Sequence, residues 1–161
     1  MKWLTRLGLV VVLVLVSGCG GSPSTVSPSE ARTAFECRAV KALQAGEAEV
    51  PVLEAALAHG DPHQIVDAAN AVVLKVGPSY AARSTDLNPA DTLDPLVGAA
   101  LGDLVQAAGS IEQEYMATPP ASPGPTTVST ALAALDTAGQ AVQAAVSERD
   151  RLVANGSLRC P

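Results

Sequence analysis

Aromatic side chains are almost missing from this 161-residue chain, which has one Trp, two Tyr and one Phe. Trp3 lies in the N-terminal apolar stretch, so the rest keeps only Phe35, Tyr80 and Tyr115. Sugar sites and quaternary-ammonium cages rely on aromatic faces, and this scarcity argues against both. Histidine is limited to His59 and His63, and Met116 is the only methionine after Met1. A methionine-rich copper site is therefore excluded. There is no Gly-rich phosphate loop, no Ser elbow, no HExxH and no Glu-x-x-His pair, so the common nucleotide, hydrolase, zincin and di-iron signatures are absent. Basic residues are outnumbered, ten Lys and Arg against sixteen Asp and Glu. That balance argues against nucleic acid, which selects for a basic patch, and against electrostatic docking on anionic lipid. No apolar run is long enough to cross a bilayer: Leu7 to Val16 is ten residues, where about 20 are needed.

What is present begins with that short run. Lys2 and Arg6 precede it, and Leu15-Val16-Ser17-Gly18-Cys19 closes it before a Gly/Ser/Pro segment opens. This arrangement resembles the lipobox signal peptide of bacterial lipoproteins: an aliphatic residue three before the cysteine, two small residues, then Cys. The resemblance covers about residues 1–22. It implies cleavage after Gly18, a diacylglyceryl thioether on Cys19 and a position on the extracytoplasmic face of the cell membrane. Acyl chains in pairs or threes give stable anchoring where one does not. Loss of residues 1–18 would remove two basic residues and no acid, leaving a balance of −8. Scarce lysine and abundant alanine give the chain a composition of the high-GC, actinobacterial type.

Residues 19–27 then form the lipidated cysteine and a flexible tether, with an r.m.s. reach of roughly 15 Å. Residues 28–161 form one domain, too short for two cores. Its apolar content is mostly Ala, Val and Leu, which suits helices, and no stretch alternates as a strand does. Ser27-Pro28-Ser29-Glu30 reads as a capping box, with Pro at the first helical position. It starts a helix to about Ala45, with Gly46 as its stop. Pro51 opens a short helix to about Ala58. Asp61-Pro62-His63-Gln64 repeats the start signal and launches a helix whose seam is Ile65, Ala69, Val72 and Val76, ended or kinked at Gly77-Pro78.

Residues 84–94 read as a loop, with Asp94-Pro95 as the next cap. The helix that follows carries a heptad seam of Val97, Leu101, Leu104, Ala108, Ile111 and Tyr115. Beside it, Gly98 and Gly102 have the spacing that lets a neighbouring helix approach closely. A Pro-rich link occupies 118–126. The last helix runs from about Thr127 to Ala154, with a seam of Val128, Leu132, Leu135, Gly139, Val142, Val146, Arg149 and Val153, and stops at Asn155-Gly156. The expected fold is all-α: an antiparallel up-and-down four-helix bundle with an extra short helix.

With Cys19 lipidated, Cys37 and Cys160 remain. An even pair in an exported domain reads as a disulfide. In an antiparallel bundle the tail after the last helix can return along the first, which brings the two together. His59, His63 and Asp67 are the only cluster that hints at metal. Zinc needs three or four converging ligands, and a solvated helix start is the simpler reading. The acid pairs Glu112/Glu114, Asp91/Asp94 and Glu148/Asp150 read as solvated faces, Asp150 being flanked by Arg149 and Arg151.

The expected function is non-enzymatic and needs no cofactor. It is contact with an envelope protein by a membrane-anchored bundle, through an Ala-rich helix face or the Pro-rich link. A narrower form is a prophage-type exclusion or immunity lipoprotein that blocks an envelope receptor. The alternative is a carrier of a small ligand or metal, with a pocket near Tyr80 and Tyr115 or at His59 and His63.

Overall fold

The structure, a computed structural model, describes residues 27–83, 91–117 and 124–160. The signal peptide, Cys19 and most of the tether lie outside the described residues, as does most of the Pro-rich link. Five α-helices follow one another: α1 (Pro28–Glu47), α2 (Val50–His59), α3 (Pro62–Ala82), α4 (Leu93–Ala117) and α5 (Pro125–Ala154). There is no strand among the described residues. Four long helices and one short one form an all-α bundle, as expected.

The helix starts follow from local chemistry. Ser27 accepts from the Glu30 amide while the Glu30 carboxylate accepts from the Ser27 amide, which closes the capping box of α1. Asp61 accepts from His63 N at 3.0 Å and caps α3. Helix α4 starts earlier than the sequence suggests. Its cap is Asp91, whose Oδ1 accepts from Leu93 N and Asp94 N. Asp94 is therefore inside the first turn, where a carboxylate suits the helix dipole. Helix α5 starts at Pro125, so the link ends at Gly124 and not at 126. At its end Gly156 has φ 75°, with Gly156 N donating to Val153 O and Ser157 N to Leu152 O. This is a Schellman motif, and it folds Leu158 back to 6% exposure.

Two glycine expectations are corrected. Gly46 does not stop α1; it is a buried residue within the helix, and α1 runs on to Glu47. A Cβ built at Gly46 would lie 2.6 Å from Val76 Cγ1 and 3.1 Å from Leu104 Cδ2. The close approach of helices occurs here, where α1 meets α3 and α4. Gly98 and Gly102 receive no helix. The Arg83 side chain lies beside Gly102 and donates from Nη1 to Gly98 O at 3.1 Å. Helix α3 passes through Gly77-Pro78 and continues for about a turn, to Ala82.

Helix α1 packs on α3, α4 and α5, α3 on α4, and α4 on α5. Gly46, near the end of α1, sits level with Val76 in α3 and Leu104 in α4. Roughly 20 Å of α3, at 1.5 Å per residue, thus lies beyond the end of α1. Helix α2 packs on α3 and α5. The first leg of the bundle is therefore α1 and α2 together, broken near Ala48, and the extra helix completes its length.

The core holds the α3 seam (Ile65, Ala69, Val72, Val76) and the whole α4 seam from Val97 to Tyr115, all at most 4% exposed. The α5 seam is rotated by one residue from the expected one. Ala131, Leu135, Ala138, Val142 and Ala145 are buried, whereas Leu132 is 37% and Val153 45% exposed. Only Leu135 and Val142 are common to both. The alanines are the inward residues because small side chains let α5 lie close against the large side chains of α4.

Candidate functional site

The bundle has a polar end, built where α1 begins, α4 begins and α5 finishes. Cys37 and Cys160 are joined there in a disulfide with a Cα–Cα distance of 5.6 Å, across a sequence separation of 123. Cys37 is 1% exposed. Two residues before Cys160, Leu158 is buried in the core cluster and fixes the path of the tail.

Next to Cys37 in the chain, Glu36 is only 3% exposed, and Asp94 is 7% exposed. The Asp91/Asp94 pair is thus no solvated face, because the start of α4 is packed against α1 and covers it. The Glu36 carboxyl is pushed up from 4.5 to about 8, first by burial, then by a hydrogen bond with Asp91 and by the charges of Asp91 and Asp94, with Arg32 opposing. At neutral pH Glu36 is therefore a neutral acid. Glu36 Oε1 and Asp94 Oδ2 are buried without a hydrogen-bond partner.

The rim of this end is ordered by Glu148 of α5. It accepts from Arg151 Nε at 2.7 Å and Arg151 Nη2 at 2.6 Å, and from the Thr92 hydroxyl. These bonds hold the Glu148 carboxyl down at about 2. Of the expected ion pairs around Asp150, only Arg149 takes part, at 2.6 Å; Arg151 turns to Glu148.

The second feature is a groove of about 560 Å³ between α4 and α5. Helix α4 contributes Asp103, Gln106, Ala107, Ser110, Ile111 and Glu114. Helix α5 contributes Thr126, Thr127, Thr130, Ala131, Ala134 and Thr137. Both sets recur at three- and four-residue steps, so each helix lends one stripe and the groove follows the helices for about three turns. Ala107, Ile111 and Ala131 form a nearly buried floor. The Thr130 hydroxyl donates to Thr126 O and the Thr137 hydroxyl to Ala133 O, each at 2.9 Å. Their O–H protons are spent on their own helix, so what they offer a ligand is a methyl group and an oxygen that can only accept. Asp103 and Glu114, eleven residues apart, share one face of α4, roughly 16 Å from each other along the axis.

The residues singled out from sequence are scattered. His59, His63 and Asp67 are exposed around the α2–α3 turn, and no group of three His, Cys, Asp or Glu side chains among the described residues could hold a metal ion. Tyr115 is buried at 1% exposure, its hydroxyl unpartnered, and burial pushes its phenol up. Tyr80 is covered by the Arg83 guanidinium, 4.1 Å above the ring. This groove thus lies between α4 and α5, and neither Tyr80 nor Tyr115 lines it. Sequence reading missed it because the shifted α5 seam placed Ala131 and Thr130 on the wrong faces. No known protein family, curated protein or solved structure matches this chain.

Proposed function

We propose that this chain is an extracytoplasmic lipoprotein, held on the outer face of the cell membrane through a lipid on Cys19, that acts by contact with an envelope protein. The observation that carries the compartment is the Cys37–Cys160 disulfide, in a chain whose N-terminus has the order of a lipobox signal. Structural disulfides persist outside the reducing cytosol. No helix among the described residues is long and apolar enough to cross a membrane. In this reading the anchor is the lipid on Cys19.

The contact face in this reading is the α4/α5 groove. Tether and groove lie far apart. The tether enters at Ser27, and Glu36 on α1 lies level with the start of α4. Asp103 is then about 25–30 Å above the tether point, counting 1.5 Å per residue along both helices. With the bundle axis along the membrane normal, a face at that height would meet proteins of the envelope before the bilayer. An exclusion or immunity protein that masks a receptor would use the same face.

The test has two parts. Labelling with a fatty-acid probe in cells should mark the wild-type chain and leave Cys19→Ala unmarked. Cross-linking in intact cells should capture one envelope protein with the wild type and lose it with Cys19→Ala. An unlabelled wild-type chain would refute the anchor; capture of nothing by an anchored chain would refute the contact.

The volume of the groove favours one second reading, a carrier of a small apolar ligand. A thermal shift with a lipid that disappears on Ala131→Trp would support it over protein contact.

A further inference from the structure

We propose that the groove between α4 and α5 docks a basic, amphipathic α-helix of an envelope protein. This rests on the contact reading above and gives the partner its chemistry.

Charge comes first. Helix α4 contains four acidic residues and neither Lys nor Arg, and α5 has no basic residue before Arg149. Asp103 and Glu114 are exposed at the two ends of the groove. Among the described residues that line the groove, the two ionised side chains, Asp103 and Glu114, are both negative, and the complementary partner is positive. A second copy docked through the same face would set acid against acid.

The shape of the groove decides the rest. Its walls are helices whose backbone groups are bonded internally, so an extended peptide finds no sheet edge to join. Binding must come from side chains laid between side chains. The floor of Ala107, Ile111 and Ala131 and the methyl groups of Thr130 and Thr137 suit aliphatic residues. A helix with apolar residues at three- and four-residue spacing fits a straight channel of small residues, since small walls admit a close approach. Lys or Arg eleven residues apart on that helix would meet Asp103 and Glu114 together.

The test is site-specific photo-crosslinking of the full lipidated protein in living cells. The probe is placed in the groove at Ser110 or Thr130, and outside it at Asn70 on α3 or Gln44 on α1, all exposed. Adducts are expected from Ser110 and Thr130 and not from Asn70 or Gln44. The cross-linked peptide should carry Lys or Arg flanking apolar residues at helical spacing. Asp103→Lys/Glu114→Lys should lower the adduct yield roughly tenfold or more, and Asp103→Asn/Glu114→Gln by less. All four substitutions are on exposed positions, and unchanged melting curves check that the variants are folded. The inference is overturned, with the contact reading intact, if adducts form only from Asn70 or Gln44. An adduct with an acidic segment, with a second copy of this chain, or with equal yield in the charge-reversed variant overturns it too. No adduct from any position overturns the contact reading and the inference with it.

Discussion

Asp91, the residue whose Oδ1 caps α4, helps to push up the carboxyl of Glu36 in α1. A buried acid and a helix cap are thus coupled, and the packing of the first long helix against the third is tied to a proton.

Stability should depend on pH in two windows of opposite sign. Glu36 is raised from 4.5 to about 8, so the folded chain binds its proton more tightly than the unfolded chain. This contribution is full below pH 4.5 and is lost as pH rises to about 8, with a slope approaching about 1.4 kcal/mol per pH unit. Glu148 is lowered to about 2, so its contribution is present above pH 4.5 and is lost as pH falls toward 2. The urea midpoint should therefore peak at about pH 4.5–5 and be lower at pH 8. Glu36→Gln, which keeps the shape without the charge, should flatten the alkaline side and leave the acid side unchanged.

Asp91→Ala removes both the cap of α4 and the partner of Glu36. Loss of the cap should cost about 1 kcal/mol in chemical denaturation. Both the bond and the charge of Asp91 raise the Glu36 carboxyl, so its titration followed by carbon-detected NMR should move down from about 8. A carboxyl that still titrates at the same pH would show that burial alone sets it.

Two glycine-to-alanine changes should act in opposite directions. At Gly46 the new methyl meets Val76 Cγ1 at 2.6 Å, an overlap that must be relieved by moving a β-branched core residue. Gly46→Ala should destabilise by about 1–3 kcal/mol despite alanine's better helix propensity. Val76→Ala should cost less in that background than in the wild type. At Gly98 nothing lies within 4 Å of an added Cβ. Gly98→Ala should stabilise by about 0.5–1 kcal/mol. Thermal melts of the wild type and these four variants would read both effects.

Reduction should weaken the fold considerably. Cys37 and Cys160 close a loop across a separation of 123 residues. In the chain-entropy account such a loop contributes roughly 4–5 kcal/mol. The double variant Cys37→Ser/Cys160→Ser should lose about that much in denaturant unfolding. Reductant should lower the midpoint of the wild type and leave the variant unmoved.

Much of the bundle was legible in the sequence because its signals are local. The capping signals at Ser27 and Asp61, each followed by Pro at the first helical position, and the heptad of α4 each report on one turn or one face, and α1 and α3 start where these signals put them. The disulfide was legible through topology, since an up-and-down bundle returns the tail to α1. The errors share a cause: they concern what lies across from a residue. Gly46 resembles a C-terminal stop until Val76 and Leu104 are set against it. Asp94 resembles a cap until Asp91 takes that place and α1 covers it. Leu132 outranks Ala131 in hydrophobicity, yet Ala131 is buried against α4 and Leu132 is exposed. The groove depends on that rotation, which is why periodicity alone did not disclose it.

The disulfide also decides what a protease can remove. Any single cut between residues 38 and 159 leaves two pieces that are still covalently one molecule, because Cys37 lies on the first and Cys160 on the second. A nick in the segment joining α4 to α5 would give two bands on a reducing gel and one without reductant. A domain tethered by its N-terminus would keep its last helix at the cell surface after such a nick. Shedding would require a cut before Cys37 or a reductant.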